Sequence, residues 1–403
     1  MSSQLLYNTQ RIRGFQHERH EFSGGKLIWH IKRRKIQCRC CGNEGVQKEV
    51  MKRRRIRGLP SGTSEVFFEF DVHRVYCPKC RNQKLEELHF LSHAKSRMTR
   101  SLERTVLELR KHMSIRAVCG YFHLRWHTVK ELEKESLTRK FQRIQTSHIK
   151  AVGIDEIHVG KGKENFGYLT IVRDLESGAV IHVGDGKGIN ALSGALQKLK
   201  KSRLRVVTMD MANAYSSWIA KNFPKAHIVF DHFHVVKLMN EKLDKIRRRV
   251  VGQLDETQKK QFKGLRFIFL QNHEDLCEDA RDILRNIREQ FKPLGDAWLF
   301  KESLRSIYTN SKSSYHARIA FHRWCAMAEQ SGVPELKQMA STIRDKLDGI
   351  VSFWTFHHLT NASMEGFNNK IRWLIRQAYG FRDMEYFKLK IFQLPEISCV
   401  KDL

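Results

Sequence analysis

Apolar positions along this 403-residue chain change period several times, and the changes divide it into segments. The stretch 65–76, Glu-Val-Phe-Phe-Glu-Phe-Asp-Val-His-Arg-Val-Tyr, reads as a strand. From 101 the spacing turns helical, with Leu102, Val106 and Leu109 on one face. A short second helix fits 114–122, and after a turn a third begins at Arg125. Five apolar runs then read as strands: 149–159, 166–175, 179–183, 204–209 and 226–230. Turns at 160–164 and 176–178, the first rich in Gly and Lys, join the first three runs. Helical stretches at 189–200 and 214–222 separate the rest. Three meandering strands followed by alternating helices and strands predict an α/β layout. From about 235 to 350 the chain is charge-rich and amphipathic, hence helical, and one more helix fits 360–371. The expected organisation is multidomain: 1–95, an all-α 96–145, an α/β core split between 146–239 and 351–403, and an α-helical insertion at 240–350.

Charge narrows the partners. Lys and Arg number 73 against 43 Asp and Glu, a net charge of +30, with a pI near 9.9. Such an excess is either a solvated surface or a nucleic-acid footprint, and the second is the expected one. A membrane is the rival partner, but no run of 18 apolar residues exists to span one. Residues 1–13 are polar and lack the apolar centre of a signal peptide. Nine cysteines without an export signal predict reduced thiols and a cytoplasmic location.

Four of those cysteines are paired. Cys38-Arg-Cys-Cys41-Gly and Cys77-Pro-Lys-Cys80 supply two Cys-x-x-Cys pairs, whose four thiolates suit one structural, tetrahedral Zn²⁺. Gly42 permits the tight turn after the first pair. With the strand between them, the pairs predict a zinc ribbon; the alternatives are a redox pair or unrelated buried thiols. Cys40 leaves a one-residue ambiguity that the spacing resolves toward Cys38 and Cys41. The basic run 52–57, Lys-Arg-Arg-Arg-Ile-Arg, is expected as a loop that either touches phosphates or is solvated. The three helices after 96 follow a helix-turn-helix layout, although any three-helix bundle looks similar. Its last helix would enter the major groove with Arg125, Trp126, His127 and Lys130 on its first turns.

Three acidic residues carry the chemistry. Asp155 lies mid-strand in Ala-Val-Gly-Ile-Asp-Glu, Asp210 ends Leu-Arg-Val-Val-Thr-Met-Asp, and Glu365 sits on the helix at 360–371. Two strand-borne aspartates and a helix-borne glutamate can converge on two Mg²⁺ ions, for which Mn²⁺ can substitute. Glu156 adjoins Asp155 and points to the other side of the strand, so it is not counted.

Gly-Ile-Asp-Glu at 153–156, Asp-His-Phe-His-Val-Val-Lys at 231–237 and Thr-Asn-Ala-Ser-Met-Glu-Gly-Phe-Asn-Asn-Lys-Ile at 360–371 resemble the DDE transposases of bacterial insertion sequences, most closely the ISL-three family. The resemblance runs from about Cys38 to Phe392 and includes an N-terminal zinc segment and a helix-turn-helix in that order. It implies a ribonuclease-H-like core in which Asp155, Asp210 and Glu365 hold the Mg²⁺ ions and cut and rejoin DNA at terminal inverted repeats, with no covalent protein–DNA intermediate. It also implies that Asp231 and His234, as Asp-x-x-His, brace the active site; a metal site of two His and one Asp is the alternative. Arg372, two turns beyond Glu365, would contact the DNA end, with Asn361 and Lys370 as further candidates. Thr360, Asn361 and Ser363 could each cap that helix. Among Trp298, Trp324 and Trp354, either one stacks on a displaced base or all three are core.

The expected function is therefore Mg²⁺-dependent cleavage and strand transfer on double-stranded DNA, both repeat ends and target, in a bacterial, nucleoid-associated setting. End pairing suggests a homodimer or larger assembly. The alternatives are a metal-dependent nuclease without strand transfer, and a non-catalytic DNA-binding regulator.

Overall fold

The computed structural model describes residues 3–398 apart from 35, 37, 39, 161–166, 357 and 358, so most of the expected turn at 160–164 lies outside the described residues. Two compact units divide the chain between Gln142 and Arg143. No described helix is long and apolar enough to cross a membrane.

The first unit starts with α1 (Ser3–Gln10), followed by β1 (Phe15–Ser23), β2 (Lys26–Arg33), β3 (Val46–Arg57), β4 (Glu65–Cys77) and β5 (Asn82–Leu85). They form one sheet of order β1-β2-β4-β3, with β5 also paired to β4. Gly24 and Gly25, both with positive φ, make the two-residue β1–β2 turn. In β4, Val66, Phe68, Phe70 and Val72 alternate inward and pack on Phe15, Trp29, Ile31 and Ile56. The basic run 52–57 is not a loop but the end of β3. Its arginines meet acids and carbonyls: Arg53 pairs with Asp71 at 3.7 Å, Arg55 with Glu69, and Arg57 with Glu65 at 3.0 Å. Arg54 donates to the carbonyls of Ala94 and Ser96, while Ile56 points into the core. Cross-strand pairing with β4 accounts for the strand.

Helices α2 (Arg100–Leu109), α3 (Ile115–Phe122) and α4 (Trp126–Phe141) follow. Thr99 and Ser114 cap the first two through their hydroxyls. Leu102, Val106, Val118, Phe122 and Val129 form their shared core. His123, in the left-handed region at φ 48°, turns α3 into α4. Arg110 Nε meets Glu133 Oε2 at 2.8 Å, with both side chains buried, and so ties the end of α2 to α4.

The second unit carries β6 (Ala151–His158), β7 (Tyr168–Asp174), β8 (Val180–Asp185), a 3₁₀ turn at Ile189–Leu192, α5 (Ser193–Leu199), β9 (Val206–Met209), α6 (Asn213–Asn222) and β10 (His227–Phe230). The sheet order is β10-β9-β6-β7-β8. β6, β7 and β8 are antiparallel neighbours, whereas β9 runs parallel to β6 and β10 parallel to β9. The remaining helices are α7 (His232–Gly252), α8 (Glu256–Gln261), α9 (Arg266–Leu270), α10 (Glu278–Gln290), α11 (Lys292–Asn310), α12 (Ser314–Gln330), α13 (Pro334–Asp345), α14 (Leu347–Thr355), α15 (Ala362–Gln377) and α16 (Met384–Ser398).

Alternation along β6 splits the packing. Val152 and Ile154 face α5 and α6, in a buried cluster that continues through Met239, Leu294, Phe321 and Ile350. The helices over 240–350 therefore share a core with the sheet. Gly349 marks the contact, since a Cβ there would lie 2.5 Å from the Phe230 ring. Ile157 on the other face packs under Met364, Phe367 and Ile371 of α15 and Phe387 and Ile391 of α16. Trp298, Trp324 and Trp354 are all buried, so none of them is placed to meet a base.

The Arg110–Glu133 pair predicts a large effect from a small change. Glu133→Ala should destabilise the first unit by about 3–5 kcal/mol, because Arg110 is left charged and buried. Urea unfolding would check this, and a loss below about 1 kcal/mol would mean the pair behaves as an exposed one.

Candidate active site and metal centre

Strand register sets the centre. The β6–β9 pairing places Ala151 beside Val206, Val152 beside Val207 and Gly153 beside Thr208. Continued two positions, it brings Asp155 level with Asp210. The β10–β9 pairing ends with Phe230 beside Met209, so Asp231 is also level with Asp210. Three parallel neighbours thus present an aspartate at the same height. Asp231 is buried, caps α7 by accepting the Phe233 N–H at 3.2 Å, and lies 3.7 Å from His234 Nδ1.

These groups feel one another. Burial raises the Asp155 carboxyl above its usual range, and the negative charge of Asp210 adds to this. Opposing them are the Glu156 N–H at 2.8 Å, the positive charge of His234 and the Asn368 amide at 2.7 Å. The His234 imidazole is raised above its ordinary 6.5, first by Asp231 and further by Asp155 and Asp210, against the effect of burial. Asp210 accepts the Ala212 N–H at 3.0 Å. Among the described residues, no three carboxylate or imidazole atoms here lie within 4.8 Å of one another. The described side chains do not enclose a single ion. A raised carboxylate beside a second carboxylate is a donor set that a hard cation would relieve.

Helix α15 is fastened across this end of the sheet. Asn361 is buried; its Oδ1 accepts from Thr208 Oγ1 at 2.8 Å and its Nδ2 donates to the Ile154 carbonyl at 3.3 Å. The amide expected at the DNA is therefore spent between β6 and β9, where it cannot reach a phosphate. The Thr360 hydroxyl accepts the Ala362 N–H at 3.3 Å. Arg173 of β7 donates to the Ser363 carbonyl at 2.8 Å and stacks on Phe367 at 4.0 Å; burial lowers its guanidinium to about 10. Glu365 stands exposed in the first turn, one turn from Asn368, which binds Asp155. Lys370 and Arg372 are exposed further along, with Arg372 donating to Asn369 at 2.7 Å. Asn368, Thr208 and Arg173 were not foreseen; only the position of Asn368, one turn after Glu365, signalled it.

Glu156 faces away from Asp155. It accepts from the Tyr215 hydroxyl and lies 3.4 Å from Lys187. Burial, reinforced by Glu156, raises Tyr215 to about 12.

The family model for ISL3-type DDE transposases, described as Transposase, matches residues 152–391. The chain is 31% identical over 360 residues to the transposase for insertion sequence element IS1001 of Bordetella parapertussis, covering 88% of this chain and 87% of that one. It is 29% identical over 394 residues to the transposase for insertion sequence element IS1557 of Mycobacterium tuberculosis, covering 89% and 86%. The chain belongs to the ISL3-type DDE transposases.

The transposase also carries a cysteine centre. The sulfurs of Cys38, Cys41, Cys77 and Cys80 all lie within 4.8 Å of one another. Cys38–Cys80 and Cys41–Cys77 are 3.5 Å apart and Cys41–Cys80 4.0 Å. A tetrahedral ion with bonds of about 2.3 Å needs edges of about 3.8 Å, so the set fits zinc. Backbone N–H groups of Cys41 and Cys40 lower Cys38 to about 6, while Cys38 beside it raises Cys80 to about 12. Cys40 stays outside the group, beside Asn82. At the start of α4, Arg125, Trp126 and His127 are exposed, whereas Lys130 is tucked 5.9 Å from the Trp126 ring and 3.5 Å from Glu131.

Purified transposase should contain one zinc per chain, and Cys77→Ser should release it and loosen the β3–β4 end. Metal analysis finding no zinc, with four freely titrating thiols, would remove the centre. In metal-free protein His234 should titrate above 6.5. The sign follows: its pairing stabilises the fold below the ordinary histidine pKa and is lost as pH rises through the raised one. Asp231→Asn keeps the helix cap but should lower that midpoint, as read by imidazole NMR; a midpoint at or below the ordinary value would contradict the pairing.

Proposed function

We propose that this transposase binds the terminal inverted repeats of its insertion sequence and catalyses Mg²⁺-dependent DNA cleavage and strand transfer. The observation that carries this is the register placing Asp155 level with Asp210 while α15, bearing Glu365, is fastened to both strands through Asn361 and to Asp155 through Asn368. The order of meander plus two parallel strands supports a ribonuclease-H-like core, interrupted by an insertion of helices over 240–350. The family itself implies a divalent metal.

In this reading Asp155, Asp210 and Glu365 would hold two Mg²⁺ ions. Bound there, the ions supply an activated water or 3′-hydroxyl and stabilise the leaving oxygen. Asn368 orients Asp155, and Asn361 fixes the spacing of the two strands. Asp231 lies 3.7 Å from His234 Nδ1 at the edge of the centre and, with Asp155 and Asp210, favours the protonated form of that imidazole against the effect of burial. Zinc-tied β3 and β4 and the α2–α4 unit, read as a zinc ribbon and a helix-turn-helix, act as separate DNA readers, with Arg125, Trp126, His127 and Lys130 toward the major groove. Lys370 and Arg372 lie along the DNA end. Two ends brought together call for at least a homodimer.

Incubation with inverted-repeat DNA and Mg²⁺ tests the reading: joined products support it, cleavage alone points to a nuclease, and binding alone to a regulator. Glu365→Gln, Asp155→Asn and Asp210→Asn should each lower cleavage on the order of a thousandfold or more while repeat binding survives, since that affinity comes from Lys and Arg elsewhere. Glu156→Gln should keep most activity. Glu365→Gln protein nicking at the wild-type rate would take Glu365 out of the centre. His234→Ala should slow cleavage about ten- to a hundredfold with binding unchanged in gel shift; collapsed binding with normal chemistry per complex would reassign the motif to recognition.

A further inference from the structure

The seven tryptophans sort into two groups. Trp29, Trp218, Trp298, Trp324 and Trp354 are at most 8% exposed, whereas Trp126 is 53% and Trp373 61% exposed. An exposed indole forgoes one of the largest burial gains a side chain offers. Trp126 opens α4, the helix read toward the major groove. Trp373 sits on α15, outside its buried face.

Its surroundings are specific. Gly366, Lys370 and Trp373 follow one another at helical spacing, beside a second stripe of Glu365, Asn369, Arg372 and Arg376. A Cβ at Gly366 would meet nothing within 4 Å, so the face is open from the Glu365 end onward. Met364, Phe367, Ile371 and Leu374 are buried on the opposite side and fix the rotation of the helix. Trp373 therefore cannot turn inward without exposing them. At the helix end Tyr379 is fully exposed, with φ at 53°.

We propose that Trp373 stacks on an unpaired base of the DNA strand held beside the scissile phosphate. This rests on the catalytic reading of Glu365. Cations that follow a backbone, with an aromatic ring between them, form the surface that single strands use. A paired duplex hides its base faces and would offer the indole only edges and sugars. Trp373 lies at the eighth position after Glu365, about 12 Å along the axis. At about 3.4 Å per nucleotide of a stacked strand, that is three to four nucleotides from the reacting phosphate.

The test uses two terminal-repeat duplexes of the same sequence, one fully paired and one with a few mismatched nucleotides at the cleavage site. Wild type should prefer the mismatched duplex. Trp373→Ala should lose about tenfold in affinity for it and little for the paired one, and Trp373→Phe should restore most of the loss. Trp126→Ala should weaken both equally. With 2-aminopurine scanned through the end, quenching should peak three to four nucleotides from the cut in wild type and vanish in Trp373→Ala. Equal loss on both duplexes, no loss, or failure of Trp373→Phe to restore would overturn the proposal. Glu365→Gln is run on the same mismatched substrate. If it cuts normally while Trp373→Ala still loses discrimination, the stacking stands and the catalytic reading of α15 falls.

Discussion

One buried amide holds the proposed catalytic end together. The backbone ladder between β6 and β9 stops at Gly153 and Thr208, just before the two aspartates emerge. Asn361 continues the junction with side-chain hydrogen bonds, one to each strand. Such bonds are strong where water is absent and costly to leave unmade. Gly153 is part of the same device: a Cβ there would crowd Asn361 Oδ1 at 3.0 Å and Met364 Cγ at 2.9 Å. The absence of a side chain two residues before Asp155 is what lets α15 come down onto the sheet.

Charge is distributed with more discipline than a net +30 suggests. Arg54, Arg55 and Arg57 fasten β3, Arg110 fastens α4, and Arg173 fastens the start of α15. These cations stabilise the fold and are spent before any phosphate arrives. Lys370, Arg372 and Arg376 remain outward on α15. At the centre the balance reverses: Asp155 is strained toward protonation by burial and by Asp210, and a cation is the natural relief.

Much of this was legible in sequence because strong periodicity and rare residues announce themselves. The runs containing Asp155 and Asp210 appear as β6 and β9, and the helix at 360–371 appears as α15. The two Cys-x-x-Cys pairs could be matched by spacing alone. The misses have physical causes. The basic stretch 52–57 hid a strand because its partners are acids on β4, distant in sequence. β1 and β2 went unread because His, Glu and Lys interrupt their apolar positions. Asn361 looked like a surface residue because local sequence cannot show that Thr208 and Ile154 wait for its amide. The tryptophans of the helical block could not be sorted from Trp373 without knowing which face each helix buries.

The helix that starts at Asp231 has a mechanical meaning. α7 is capped at the centre and runs through His232–Gly252 into the helical block, where Met239, Leu243 and Ile246 join the cluster that also covers Val229 and Phe230. The block is therefore not cargo looped out from a finished enzyme. Trimming it to make a minimal catalyst would strip the lid from β10 and unseat the carboxylate that grips His234. Length in this region is part of the proposed site's foundation, and a shortened relative would need a different way to cover that edge of the sheet.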